Sequence, residues 1–125
     1  MVRIFFMFGA IFGALSVGAG AFASHALKEK LTEKAIAIFE VGARYQMYHA
    51  LALLLVGLLL TRFEKPMPFL VTSGWAFILG VIIFSGSLYA LSLTGIKWLG
   101  AITPLGGAAF IVGWSCLAIA AWAMK

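Results

Sequence analysis

Long apolar segments, separated by short polar ones, make up most of the chain. Residues 4–24, 66–96 and 98–124 carry no charged side chain, and residues 45–61 form a shorter uncharged run. A helix needs about 20 apolar residues to cross a hydrocarbon core of about 30 Å. The pattern therefore predicts an all-α, integral membrane four-helix bundle whose consecutive crossings are antiparallel. We expect a single transmembrane domain over residues 1–125, with a polar interfacial segment at 25–41 and crossings near 4–24, 42–61, 69–93 and 103–124.

Capping and helix-breaking residues indicate where the helices begin and end. Thr32 is suited to cap a helix that continues into the second crossing. Pro66 and Pro68 break any helix between the second and third crossings. Thr103 as N-cap and Pro104 at the first helical position predict the start of the last helix.

The composition excludes a water-soluble domain and gives no sign of a nucleic-acid binder. Apolar residues make up 64% of the chain and charged residues only 10%, too few to cover a soluble surface. The net charge of +5 comes from basic residues that mostly flank the apolar runs, where they meet lipid headgroups. We therefore expect membrane lipids, and no nucleic acid, as partners.

Four crossings divide the loops between two sides of the membrane. Side A holds both termini and the 62–68 turn, and side B holds the 25–44 segment and the 94–98 turn. The basic residues are almost evenly shared: side A has Arg3, Arg62, Lys65 and Lys125, and side B has Lys28, Lys30, Lys34 and Lys97. Because Arg44 is expected within the bundle and the α-amino group adds to side A, we expect cytoplasmic termini.

Small residues recur along one face of the first helix and one face of the last. Gly9, Gly13 and Gly20 lie on the first, and Gly106 and Gly113 on the last. Such seams let helix backbones approach closely in lipid. They predict that these helices pack against each other, against a second copy or against other membrane proteins, and that leucine at Gly13 or Gly113 is destabilising.

Polar side chains within the crossings concentrate towards side B, and burial should make them contact one another. They are His25, Glu40, Arg44, Tyr45, Gln46, Tyr48, His49, Ser85, Ser87, Tyr89 and Thr103. One interpretation is a network that fixes helix packing, and the other is a half-membrane pocket for a small molecule. On the second helix, the apolar arc that we expect to face lipid comprises Ala43, Met47, Ala50 and Leu54.

His25 and His49 are the sharpest candidates for chemistry in this cluster. Both lie towards side B on consecutive helices, and we expect them to share one cluster with Arg44 and Tyr89. Paired histidines can ligate haem or a metal, but no further ligand accompanies these two. We therefore predict no metal, no cofactor and no catalytic residue.

Four motifs, in order along the chain, carry a family resemblance. They are Gly20-Ala21-Phe22-Ala23-Ser24-His25-Ala26-Leu27, the run from Glu40 to Leu53, Phe84-Ser85-Gly86-Ser87-Leu88-Tyr89, and Thr103-Pro104-Leu105-Gly106-Gly107. Together they resemble the small membrane proteins of the domain of unknown function 423 family. The resemblance implies a multi-pass protein of the bacterial inner membrane with about four helices, and it implies no established activity.

Three functional hypotheses follow from these features. The seams and the lack of a catalytic set favour a non-enzymatic packing, assembly or stability factor. The alternative is a protein that binds or transports a small molecule, lipid or ion through the polar pocket. The third, an intramembrane enzyme, would have to use His25, His49, Glu40 or Arg44.

Overall fold

The computed structural model describes residues 1–124 as four long helices joined by short turns. The helices are α1 (Val2–Leu27), α2 (Glu33–Leu60), α3 (Pro68–Thr94) and α4 (Thr103–Ala123). Each is long and apolar enough to cross a membrane, α4 together with the 3₁₀ turn Lys97–Ala101 that precedes it. The prediction of an all-α four-helix membrane bundle is confirmed. Lys125, one of the predicted side A cations, lies outside the described residues.

One predicted helix start is confirmed and another is wrong. The hydroxyl of Thr32 accepts a hydrogen bond from the Ala35 amide at 3.1 Å and caps α2. Thr103 does not cap α4: it is the first helical residue, and Ile102 occupies the capping position. The hydroxyl of Thr103 instead contacts that of Ser87 at 2.6 Å, so a tertiary contact replaces the local cap.

Helices α2 and α3 form the centre of the bundle, and α1 and α4 are the outer helices. α1 packs mainly against α2, and α4 mainly against α3. In α2, 50% of an apolar stretch of 18 residues is buried. The corresponding share is 22% in α1 and 22% in the last crossing. The outer helices therefore leave most of their surface open, and each pairs with a central helix.

Glycines set the close contacts between helices, although not all of those predicted. A Cβ on Gly9 would lie 2.7 Å from the Leu54 side chain, and one on Gly113 would lie 2.5 Å from the Phe77 ring. Gly106 lies directly against the Phe84 backbone. By contrast, Gly13 and Gly20 have no atom within 4 Å of such a Cβ. Only part of the small-residue seam of α1 therefore touches another helix.

The predicted lipid-facing arc of α2 is wrong. Ala43 and Ala50 are buried, and Met47 and Leu54 are partly buried. This face packs against α1, because the small side chains and Gly9 allow the two backbones to approach. The expectation failed because polar side chains of α2, Arg44 and Tyr48 among them, lie on its exposed face instead.

Two π-helical turns interrupt the regular helices next to polar residues. Ala23–Leu27 ends α1, and Val81–Ser85 lies in the middle of α3. Such turns shift the register of the following residues and are frequent at functional sites. In α3 the π turn places Ser85 against α2, where its hydroxyl donates to the Gly42 carbonyl at 2.7 Å.

Candidate functional site

The first group of buried polar residues is centred on Gln46 and joins three helices. The Gln46 amide nitrogen donates to the Phe12 carbonyl of α1 at 2.8 Å. Its amide oxygen accepts from the Tyr89 hydroxyl of α3 at 2.7 Å. Gln46 is 5% exposed, so these bonds form in a low-dielectric interior where an unpaired amide would be costly. We call Gln46 and Tyr89 the Gln46 pair.

Two serines reinforce the same helix junction. The Ser16 hydroxyl of α1 donates to the Ala43 carbonyl at 2.6 Å. The Ser85 hydroxyl of α3 donates to the neighbouring Gly42 carbonyl. A carbonyl oxygen has two lone pairs, so it can accept these bonds in addition to its helical one. The two bonds fasten α1 and α3 to adjacent residues of α2.

The second group is centred on His49 and joins α2 to α4. The Trp114 indole N–H donates to His49 Nε2 at 3.0 Å, and His49 Nδ1 lies 2.7 Å from the Tyr45 carbonyl. Indole nitrogen only donates and a carbonyl only accepts. The contacts therefore require a neutral imidazole with its proton on Nδ1, and both ring nitrogens are occupied.

Aromatic rings enclose this imidazole. The Phe110 ring of α4 stacks on it with centroids 3.5 Å apart and planes 8° apart. The Phe77 ring of α3 lies 5.4 Å from it. His49 is 4% exposed, so it acts as a packing centre between α2, α3 and α4.

Hydroxyl contacts also link α3 to α4. The Ser73 hydroxyl donates to the Gly113 carbonyl at 2.7 Å, and Ser87 and Thr103 share a hydrogen bond. Among residues 1–124, each buried side-chain nitrogen or oxygen has a hydrogen-bond partner. The polar side chains inside the bundle are thus hydrogen-bonded to other groups of the same chain.

The structure does not bring His25 and His49 together. His25 is exposed in the π turn that ends α1. The neighbours of His25 in that turn, Ala23 and Leu27, pack beside Phe39. Phe39 precedes His49 by ten residues, which is about 15 Å along a helix. The single cluster predicted around both histidines is therefore divided, and only Gln46, His49, Tyr89 and the hydroxyl residues lie inside the bundle.

The remaining predicted residues lie on the outside of α2. Arg44, Tyr45 and Tyr48 are exposed, and Glu40 is partly buried. Glu40, Arg44 and Tyr48 are spaced four apart and so share one face of the helix. We call these three residues the α2 outer stripe.

Several clefts open beside these groups. A cleft of about 530 Å³ lies between α1, α2 and α3, and its lining includes the apolar residues Leu15 and Leu93 and both residues of the Gln46 pair. Two others lie near side B, one beside Glu33 and Glu40 and one between Lys34 and Lys97. Within the described part of the chain, no three His, Cys, Asp or Glu residues are grouped to hold a metal.

Sequence reasoning missed the partners of His49. Trp114 and Phe110 lie more than sixty residues further along the chain. One signal was available: a tryptophan in the middle of an apolar helix needs an acceptor for its N–H. With His49 as a nearby ring acceptor in the same bundle, that requirement could have paired the two.

Comparison with known proteins places the chain in a family. Residues 19–107 match the sequence model of the family described as Protein of unknown function (DUF423). The chain belongs to this family. The DUF423 match contains every residue of the Gln46 pair and the α2 outer stripe, and it contains His49.

Relatives extend the similarity to nearly the whole chain. This DUF423 protein is 44% identical over 120 residues to the UPF0382 membrane protein YwdK of Bacillus subtilis, covering 96% of this chain and 97% of the relative. It is 44% identical over 119 residues to a UPF0382 membrane protein of Staphylococcus epidermidis, covering 95% of each. No solved structure matches it. The family resemblance read from the sequence is confirmed, and the chain is a multi-pass membrane protein.

Proposed function

We propose that this DUF423 protein is a non-enzymatic membrane protein that works by packing with copies of itself or with other membrane proteins, as an assembly or stability factor. The observation that carries the proposal is the α2 outer stripe. Arg44 is exposed and Tyr48 is 53% exposed, on the outer surface of a helix long enough to span a membrane. A neighbouring protein can give such side chains the hydrogen bonds and ion pairs that lipid tails cannot.

The depth of Arg44 makes contact with lipid alone costly. It lies eleven residues after Glu33, about 16 Å along a helix that is about 42 Å long. Arg44 lies at the start of the crossing expected at 42–61, so its cost is smaller than that of an arginine at the membrane centre, about 2.5–3.5 kcal/mol on insertion scales. Snorkelling towards side B recovers part of this cost, and a partner that pairs with the guanidinium recovers more.

The order of charges within the stripe fits a second copy of the chain. Glu40 precedes Arg44 by one helical turn. When two such faces meet, each acid can reach the base of the other helix, as in isologous interfaces. The hydroxyl of Tyr48 extends the same face by a further turn. The stripe is thus self-complementary in charge.

The interior of the bundle supports a structural role for the remaining polar residues. Each buried side-chain polar atom of the described chain already has a partner. Both nitrogens of His49 are occupied by Tyr45 and Trp114. A histidine held in this way fixes the positions of α2 and α4.

Native mass spectrometry of the protein extracted with its lipids tests the proposal. We expect particles that contain two or more protein chains, because the stripe needs a partner. Arg44→Leu should lower the copy number or remove the partner. Arg62→Leu removes the same charge from the exposed turn after α2 and should change nothing. A single chain without protein partners in native lipid would contradict the proposal.

The large cleft favours a second candidate, a protein that binds or transports a small molecule, lipid or ion. Its apolar walls and the Gln46 pair in its lining suit a mainly apolar ligand with one polar group. The same spectra would then show one retained small molecule per chain. Tyr89→Phe, which removes a hydroxyl from the lining of the cleft, should release it.

A further inference from the structure

We propose that the cavity between the beginning of α2 and the end of α3 binds the phosphate group of an anionic membrane lipid. The cavity has a volume of about 490 Å³, and its walls include Lys34, Ala35, Ile38, Leu91 and Lys97. We call it the basic cavity. This inference does not depend on the proposed assembly role, because the cavity is built from different residues than the α2 outer stripe.

Two cavities at the side B end of the bundle differ in the charges that line them. The ionisable side chains that line the basic cavity are both lysines, one from the first turn of α2 and one from the 3₁₀ turn after α3. The acidic residues Glu33 and Glu40 line the other side B cavity, where Lys28 accompanies them. An anion would meet two cations in the basic cavity and mixed charges in the other.

The lining of the basic cavity combines charged and apolar side chains. Lys34 and Lys97 are exposed near the starts of their elements, and Ala35, Ile38 and Leu91 are partly buried. Lysines at helix ends extend towards the headgroups while their stems cover apolar surface. A ligand that fills the cavity therefore needs an anionic head and an apolar tail.

Of the two hydroxyl groups that line the cavity, Ser92 uses its hydrogen within the protein, and Thr32 accepts a bond and can still donate its hydrogen to a ligand. Thr32 accepts from the Ala35 amide, and Ser92 donates to the Tyr89 carbonyl at 2.9 Å. The two ammonium groups, and the positive end of the α2 dipole beside them, supply the electrostatic attraction for the head. Basic pockets of this kind between transmembrane helices recognise anionic lipid headgroups.

Native mass spectrometry of the full chain in phosphatidylcholine nanodiscs doped with phosphatidylglycerol tests the site. The wild-type chain should retain phosphatidylglycerol in preference to phosphatidylcholine. Lys34→Gln with Lys97→Gln should weaken this retention by about thirty-fold, the effect of two lysines near an anionic surface. The matched control is Lys28→Gln with Lys30→Gln, which removes two charges on the same side but outside the basic cavity, and it should retain the lipid.

Several outcomes would overturn the proposal. Equal losses in both double variants would mean that surface charge alone attracts the lipid. Equal retention of the two lipids by the wild-type chain would mean that no anion site exists. Displacement of phosphatidylglycerol by inorganic phosphate alone would assign the site to free phosphate. If the double variant fails to fold, the single change Lys97→Glu, in the turn outside the helices, should still weaken retention.

Discussion

Individual polar side chains in this bundle are matched to acceptors on other helices. The hydroxyls of Ser16, Ser73 and Ser85 each donate to a backbone carbonyl of a neighbouring helix. Sequence could identify these side chains as polar groups in apolar runs, because burial without a partner is costly. It could not pair them, since pairing depends on how each helix is rotated about its axis. Trp114 and His49 illustrate this, being joined across 65 residues.

His49→Ala should lower the free energy of unfolding by about 2–4 kcal/mol. The change leaves the Trp114 N–H without its acceptor and removes the ring that stacks on Phe110. Titration with sodium dodecyl sulfate in mixed micelles measures this free energy. The control is His25→Ala at an exposed position, which should change it by less than about 0.5 kcal/mol.

Equal changes in the free energy of unfolding for His49→Ala and His25→Ala would contradict the division of the polar residues into separate groups. Equal destabilisation would mean that His25 also has a buried partner. Unchanged stability in both would mean that the Trp114 contact contributes nothing to the fold.

Tyr89→Phe should cost about 0.6–1.7 kcal/mol, between the average and the largest value measured for hydrogen bonds between membrane helices. The change removes only the hydroxyl that donates to Gln46 and leaves the ring that packs on Phe39 at 4.7 Å. Tyr48→Phe removes a hydroxyl from an exposed ring and should leave the unfolding of the single chain unchanged. If only Tyr48→Phe lowers stability, the stabilising hydroxyl is that of Tyr48 in the α2 outer stripe and not that of Tyr89.

At the scale of the helices, several of the closest contacts occur where a phenylalanine of one helix packs against a glycine of another. Phe5 of α1 packs over Gly74, and Phe110 of α4 packs over Gly80, both in α3. Sequence predicted the four helices because length and hydropathy are properties of each helix alone. Within the single chain Gly13 and Gly20 meet no other helix, because spacing shows which residues share a face and not which face meets a neighbour.

Gly113→Leu should destabilise the α3–α4 pair and Gly13→Leu should not affect the single chain. A side chain at Gly113 would collide with the buried Phe77 ring, whereas the space beside Gly13 is open. Thermal loss of the monodisperse peak in size-exclusion chromatography compares the two variants. If Gly13→Leu lowers the copy number instead, this position of α1 faces a second copy. Equal thermal stability of Gly113→Leu and the wild-type chain would contradict the packing described for α4.

The whole molecule is two helix pairs, α1 with α2 and α3 with α4, joined through the central helices. This arrangement leaves an exposed polar stripe on α2 and a basic cavity where α2 begins and α3 ends. Neither could be predicted from the sequence. Arg44 reads as an interior residue when burial is assumed for every polar group, and Lys34 and Lys97 are too far apart in the chain to be joined by inspection.

The four crossings predict which turns share a side of the membrane. Four antiparallel helices place Lys30 and Ile96 on one side and Glu64 on the other. Single cysteines at these exposed positions, in a Cys116→Ala background because Cys116 is the only native thiol, can be labelled in intact cells with an impermeant maleimide. We expect Lys30→Cys and Ile96→Cys to be both labelled or both protected in intact cells, and Glu64→Cys to give the opposite result. Because the termini lie on the same side as Glu64, the labelling also shows their orientation. If Lys30→Cys and Glu64→Cys react equally in intact cells and equally after lysis, α2 does not cross the membrane and the four-crossing arrangement fails.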